Sequence, residues 1–251
     1  MRVSFFSTCL VDMFFPDIGV SAIRLLRRLD CQVDFPEGQT CCGQPAWNSG
    51  FREEAEKMAE AIIRAFAESE YVVAPSGSCA GMIRSVYPQL FEGRPELQAQ
   101  ARALAAKTYE LSEFLVKILR VDLREQGAHF EGTVAYHTSC HMTRELGVRE
   151  EPFQLLDQVE GVVRKDLERP DLCCGFGGTF SVKQPELSVA MADEKIADLD
   201  GTGAGYLVGA DPACLMHLRG RLERLGKGQK VLHLAELLEM ATRPARKEDR
   251  P

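Results

Sequence analysis

The chain opens with an apolar run, residues 2–8, that stops at Cys9, and after Pro16 it enters a segment (17–30, DIGVSAIRLLRRLD) whose apolar positions recur at helical spacing. Residues 31–35 read as a second strand, 51–69 (FREEAEKMAEAIIRAFAES) as a strong amphipathic helix and 71–75 as a third strand. Residues 95–120 read as one or two helices that close this half. The second half follows the same order, with strands near 133–137, 161–166 and 206–210 and helices near 149–158, 185–199 and 214–225. VLHLAELLEM (231–240) predicts a final strand or helix, and the charged TRPARKEDRP behind it predicts a frayed tail. Strand and helix in alternation predict an α/β fold with a mainly parallel sheet flanked by helices.

The order repeats because the sequence repeats. Eight cysteines fall into two matching sets: Cys9 and Cys140 stand 131 positions apart, Cys41 and Cys173 as well as Cys42 and Cys174 stand 132 apart, and Cys79 and Cys214 stand 135 apart. Their surroundings match too: VSFFSTC (3–9) with VAYHTSC (134–140), Cys42-Gly43 with Cys174-Gly175, and YVVAPSGSC (71–79) with YLVGADPAC (206–214). This pattern predicts two tandem, pseudo-symmetric units. The boundary lies near REQGAHFE (124–131), where a glycine and polar residues break the helical pattern, giving units of 1–125 and 126–251.

Composition narrows the chemistry. A formal net charge of −7 argues against a nucleic-acid binder, whose affinity comes mainly from clustered cations. A 45% share of hydrophobic residues excludes a mainly disordered chain. No stretch approaches the run of about 18 apolar residues that a membrane span needs, and polar residues with no cleavage site after them make the N-terminus a poor signal peptide. Nine cysteines in a chain able to build its own core point to metal binding or redox chemistry in the cytoplasm rather than to a disulfide scaffold.

Cys9, Cys79, Cys140 and Cys214 each follow a predicted strand, and the doublets open glycine-containing loops, CCGQPAWNSG and CCGFGG. In open α/β sheets, sites form beyond the carboxyl ends of strands, so three segments of each half can converge there. The helices that follow aim their N-termini at the sulfurs, where free N–H groups and the helix dipole favour thiolates. Four soft thiolates suit an iron–sulfur cluster or a zinc ion. Structural zinc usually takes tight C-x2-4-C pairs, whereas these ligands are far apart in sequence, and adjacent cysteines fit two corners of a cluster more easily than one small ion.

C-x31-CCG-x35-C in the first half and C-x32-CCG-x38-C in the second resemble the cysteine-rich CCG domain, present twice over essentially the whole chain. That domain occurs in the cysteine-rich subunit of heterodisulfide reductase, in the iron–sulfur subunit of glycolate oxidase and in the lactate utilization protein A family. The last is most similar in size, since no ferredoxin-like C-x2-C-x2-C segment is expected ahead of the first unit. The resemblance implies a cytoplasmic oxidoreductase subunit that works with companion subunits to oxidise L-lactate to pyruvate, relays electrons through iron–sulfur centres and is inactive without those partners. The implied site residues are Cys9, Cys41, Cys42 and Cys79, and Cys140, Cys173, Cys174 and Cys214, holding one or two [4Fe–4S] clusters, with zinc as the alternative. The fuller motif ends in C-x2-C, but here the last positions are Met82 and His217. Each half therefore has four thiols, not five, which puts the noncubane cluster of heterodisulfide reductase and its disulfide-cleaving chemistry in doubt.

His217 is a candidate ligand in place of the missing cysteine. His137 and His141, which bracket Cys140, are candidate hydrogen-bond donors near sulfur. Met82 and Cys31 read as structural, and Trp47 as a candidate shield against water. GTGAG (201–205) lacks the spacing and position of a dinucleotide loop, and there is no Walker-type motif, so a two-electron cofactor is expected on a partner. Three readings stand: an iron–sulfur redox subunit, a zinc-binding structural or assembly module, and a thiol–disulfide protein.

Overall fold

A computed structural model of the chain describes residues 1–244; the fraying expected of TRPARKEDRP concerns residues 245–251, which lie outside the described ones. Strands β1 (Arg2–Phe5), β2 (Gln32–Asp34), β3 (Val72–Ala74) and β4 (Thr108–Glu110) form one sheet in the order β2-β1-β3-β4. Strands β5 (His129–His137), β6 (Glu160–Lys165), β7 (Tyr206–Gly209) and β8 (Lys230–His233) form a second in the matching order β6-β5-β7-β8. All pairings are parallel. Both sheets therefore reverse their strand order at the same place, beside β1 and β3 in one and beside β5 and β7 in the other. At such a switch point the connections leave in opposite directions and open a crevice at the carboxyl edge.

The helices form where the sequence pattern placed them. Helix Pro16–Arg28 starts on a proline, which needs no amide partner there, ends on Arg27 and Arg28, which face the negative end of its dipole, and buries Ile18, Ala22, Leu25 and Leu26. Helix Arg52–Ala65 carries Glu53 and Glu54 in its first turn and buries Ala55, Ala59, Ile62 and Ile63 along one stripe. No helix among the described residues is long and apolar enough to cross a membrane.

One stretch departs from expectation. Residues 95–120 are not only helical: helix Pro95–Ala106 gives way to β4 before the chain turns helical again. Thr108 and Tyr109 are strand formers beside the open edge of β3, and the Val72 N–H donates to Lys107 O at 2.8 Å, so pairing outcompetes helix propensity. Glu110 then caps the next helix, its carboxylate accepting from the Ser112 N–H at 2.7 Å. VLHLAELLEM proves to be a strand followed by a helix, Leu234–Ala241, capped in the matching place by His233, whose Nδ1 accepts from the Ala235 N–H at 3.0 Å.

The two units are stitched together at their cysteine-bearing edges. Helix Gly77–Gly81 of the first unit packs against the turn His141–Leu146 of the second. The approach requires glycine: a Cβ on Gly77 would come within 2.2 Å of Met142 Cγ, and one on Gly81 within 2.6 Å of the Glu145 carboxylate. Asp211, 1% exposed, accepts from Ser78 N–H across the junction at 2.7 Å and from Ala213 N–H on its own helix at 3.2 Å. One carboxylate thus caps a cysteine-bearing helix in each unit. Farther round, Arg28 donates to Glu239 O at 3.2 Å and to Thr242 Oγ1 at 2.5 Å, holding helix Leu234–Ala241 on the first unit.

Replacing Asp211 by alanine strands two N–H donors, the buried one of Ser78 and the partly buried one of Ala213, one on either side of the junction. The expected loss of stability is about 2–4 kcal/mol, with Asp211→Asn losing less because it keeps one carbonyl acceptor. Chemical denaturation of the three proteins gives the values, and equal stability of all three would contradict the shared-cap account.

Candidate metal centres

The strand ends deliver the cysteines. Cys9 lies four residues past the end of β1 and begins a short helix, Cys9–Phe14, while Cys79 sits inside helix Gly77–Gly81 behind β3. The doublet loop approaches from the side and enters helix Gln44–Asn48. In the second unit Cys140 follows β5, Cys214 lies in helix Pro212–Arg224 behind β7, and Cys173 and Cys174 arrive on the equivalent loop. All eight line a single cleft of about 360 Å³ between the units. The two sets therefore face one space, which the sequence alone did not reveal.

Each set has an outer and an inner pair. Cys9 and Cys41 lie at the solvent side with sulfurs 3.6 Å apart, and Cys42 and Cys79 are buried with sulfurs 3.5 Å apart. In the second unit Cys140 and Cys173 form the outer pair, and Cys174 and Cys214 are buried with sulfurs at 2.9 Å. All are free thiols. The sulfurs within each set lie along a chain, first cysteine to doublet to last cysteine.

The first cysteine of each doublet is the natural thiolate. Cys42 and Cys9, followed by the Gly43 amide, stabilise the anion of Cys41 and bring its pKa to about 3. Cys140 and Cys174, followed by the Gly175 amide, do the same for Cys173, at about 2. The neighbours are pushed up in turn, Cys9 and Cys42 chiefly through Cys41, Cys140 and Cys174 chiefly through Cys173. A set that holds one thiolate and resists further proton loss is suited to a cation that displaces the remaining protons.

Glycines shape the doublet loops. Gly175 has φ +86° and donates its N–H toward Cys173 Sγ at 3.4 Å, while its carbonyl accepts from Ser188 Oγ at 2.8 Å. Gly43 adopts the same φ of +86°. Behind the second loop, Lys195, 1% exposed, donates to Pro170 O at 2.9 Å, and burial lowers its pKa to about 8.

The histidines fall in different places. His217 does not line the cleft: its Nε2 is 3.2 Å from Ser188 Oγ, and its ring packs beside Phe176. His141 lines the cleft, with Nδ1 3.6 Å from Cys140 Sγ and Nε2 3.0 Å from Gln44 Nε2 of the first unit. His137 is 1% exposed, and burial, then the charge of Lys195, lowers its pKa to about 3, so the ring is neutral. Both of its ring nitrogens lack a hydrogen-bond partner. Met82 and Cys31 are core residues, and Trp47 packs against the core under Arg52 and does not line the cleft.

The donor sets can be tested for fit. Four thiolates around one tetrahedral ion sit about 3.8 Å apart in every pair, given metal–sulfur bonds of about 2.3 Å. Among the described residues no three thiols of either set lie mutually within 4.8 Å; the one trio of ligating atoms that does is His137, Cys174 and Cys214. As placed, neither set offers more than two thiols to one ion, and every donor in both sets is soft, which suits a thiophilic metal.

Comparison with known proteins adds the context. The cysteine-rich domain model matches residues 3–84 and 134–219, one match per unit. The chain is 52% identical over 238 residues to lactate utilization protein A of Geobacillus kaustophilus, covering 95% of this chain and 98% of that one. It is likewise 52% identical to lactate utilization protein A of Bacillus subtilis, covering 95% and 99%. Among solved structures, a hypothetical protein from Helicobacter pylori has the same fold, with a TM-score of 0.70 at 10% identity over 99% of this chain; the chain spans about half, 50%, of that protein.

The two doublet glycines should not tolerate alanine equally. A Cβ on Gly175 would lie 2.4 Å from Ser188 O, a backbone atom, whereas one on Gly43 would meet Ala55 O at 3.3 Å. Gly43→Ala is expected to cost about 1–2 kcal/mol from the left-handed backbone alone, and Gly175→Ala more, with loss of metal from the second set. Denaturation midpoints and bound-metal content measure both, and the reverse ranking would show that the loop relaxes freely.

Proposed function

The chain belongs to the lactate utilization protein A family, and on that premise we propose that it is the iron–sulfur redox subunit of a complex that oxidises L-lactate to pyruvate. The observation that carries the proposal is the convergence of two four-thiol sets on one cleft. Bound iron–sulfur clusters would supply one-electron carriers at both sets. The protein's own groups do the rest. Cys41 and Cys173 offer ready thiolates, the Gly43 and Gly175 amides donate to them, and the buried inner pairs keep water from half of each set. With both sets on one cleft, electrons need not cross the body of the protein to pass between them.

Lactate oxidation releases two electrons and two protons, whereas an iron–sulfur centre moves electrons singly. Since the sequence has no motif for a two-electron cofactor, that cofactor belongs to a companion subunit, and the outer pairs are the side from which it would exchange electrons. Nine cysteines in a chain that builds its own core suit a reducing compartment, the cytoplasm. A second reading, zinc at the second set, is favoured by one observation: among the described residues, His137, Cys174 and Cys214 are the one trio close enough together for a single ion.

Anaerobically purified protein should be brown and contain iron and sulfide. Cys41→Ser or Cys174→Ser should lose iron and electron transfer together, because serine stays protonated and is a hard donor, while Cys31→Ser should lose neither. Zinc in place of iron, or equal loss from the Cys31 change, would overturn the assignment. The purified chain should not turn over lactate with an artificial acceptor until its companion subunits are added; steady turnover by the chain alone would place the catalytic groups here instead.

A further inference from the structure

The two sets are not chemically equivalent. In the alignment of VSFFSTC with VAYHTSC, His137 stands where the first unit has Phe6. Phe6 is fully buried and packs edge-on against Phe66, with ring centroids 5.7 Å apart, as an ordinary core residue does. His137 occupies the same place at the end of β5, equally buried, but neither of its nitrogens has a partner. A buried polar group without a partner carries a desolvation cost that native structures seldom leave uncompensated. One of its nitrogens lies within 4.8 Å of both Cys174 Sγ and Cys214 Sγ, the inner pair of the second set.

We infer that His137 is a ligand of the second centre, which makes that centre a mixed nitrogen–sulfur site while the first remains all-thiolate. The assignment rests on the reading of the second set as a metal centre and goes beyond it. A metal bond satisfies the orphaned nitrogen as a hydrogen bond would. It also replaces the fifth donor that the sequence lacks: the donor comes from the strand before Cys140, not from His217, which is held by Ser188. Imidazole is neutral, so it adds a donor to the four thiols of the second set without adding negative charge.

Cobalt(II), added anaerobically to the metal-free full-length chain, is the probe. Pulsed electron paramagnetic resonance of the wild type should show nitrogen coupling that changes isotope signature when histidine alone is labelled with ¹⁵N, a measurement that needs no variant. His137→Phe, which installs the residue of the first unit, should abolish that coupling and weaken one of two cobalt sites at least tenfold while leaving the other unchanged. His137→Cys should keep the affinity but lose the coupling. Absence of histidine coupling in the cobalt-loaded wild type, or coupling that survives His137→Phe, would overturn the assignment. Iron and sulfide content is read separately: a chain that takes up no iron yet shows the coupling supports His137 as a ligand and defeats the electron-relay reading. Iron-loaded protein whose cobalt form lacks the coupling defeats this inference alone.

Discussion

Bringing four cysteine sulfurs of each unit to one cleft is the demand that organises this molecule. Thiolates repel, so their approach has to be enforced by groups that do not move and repaid by groups that tolerate negative charge. Parallel strands answer the first requirement. Cys9, Cys79, Cys140 and Cys214 come just after buried strand ends or on the helices directly behind them, and those strands cannot slide without turning core residues outward. Backbone amides answer the second, with Gly43 and Gly175 donating to the two sulfurs that ionise first. The left-handed doublet loops bring those amides to the sulfurs, and the glycine face of Gly77 and Gly81 lets the two units close on the shared cleft.

Much of this was legible in the sequence, because duplication lets each unit be checked against the other. The strands before the cysteines, the amphipathic helices and the membership of the two cysteine sets all follow from hydrophobic period and constant offset. Strand β4 was not legible. Three residues inside a long helix-favouring stretch form a strand only because β3 leaves an edge open beside them, and that is tertiary information. The shared cleft was hidden for the same reason, since no local pattern tells one unit where the other sits.

His137 illustrates a subtler gap. Reasoning from the shortened C-x2-C ending drew attention to His217, because it occupies the missing cysteine's position in the chain. Helical geometry then carries that ring toward Ser188, away from the cleft. The signal that could have found His137 was present in the repeat alignment: a polar ring replaces phenylalanine at a position whose partner is fully buried. In a duplicated chain, the places where the copies disagree in polarity inside the core are the first to search for chemistry.

The cap supplied by Asp211 has a consequence for the chain's history and for its handling. If the units were separate, identical molecules paired face to face, the residue at this place would have to serve both copies at once, so any change would be imposed on both sites. Joined in one chain, the two places are free to differ, and they do: Ser76 caps its helix from within, while Asp211 reaches across. Fusion is thus what permits the residues around one cysteine set to diverge from those around the other. It also removes the option of going back, because the first unit expressed by itself would leave the Ser78 amide uncapped and the glycine face of its cysteine-bearing helix open to water.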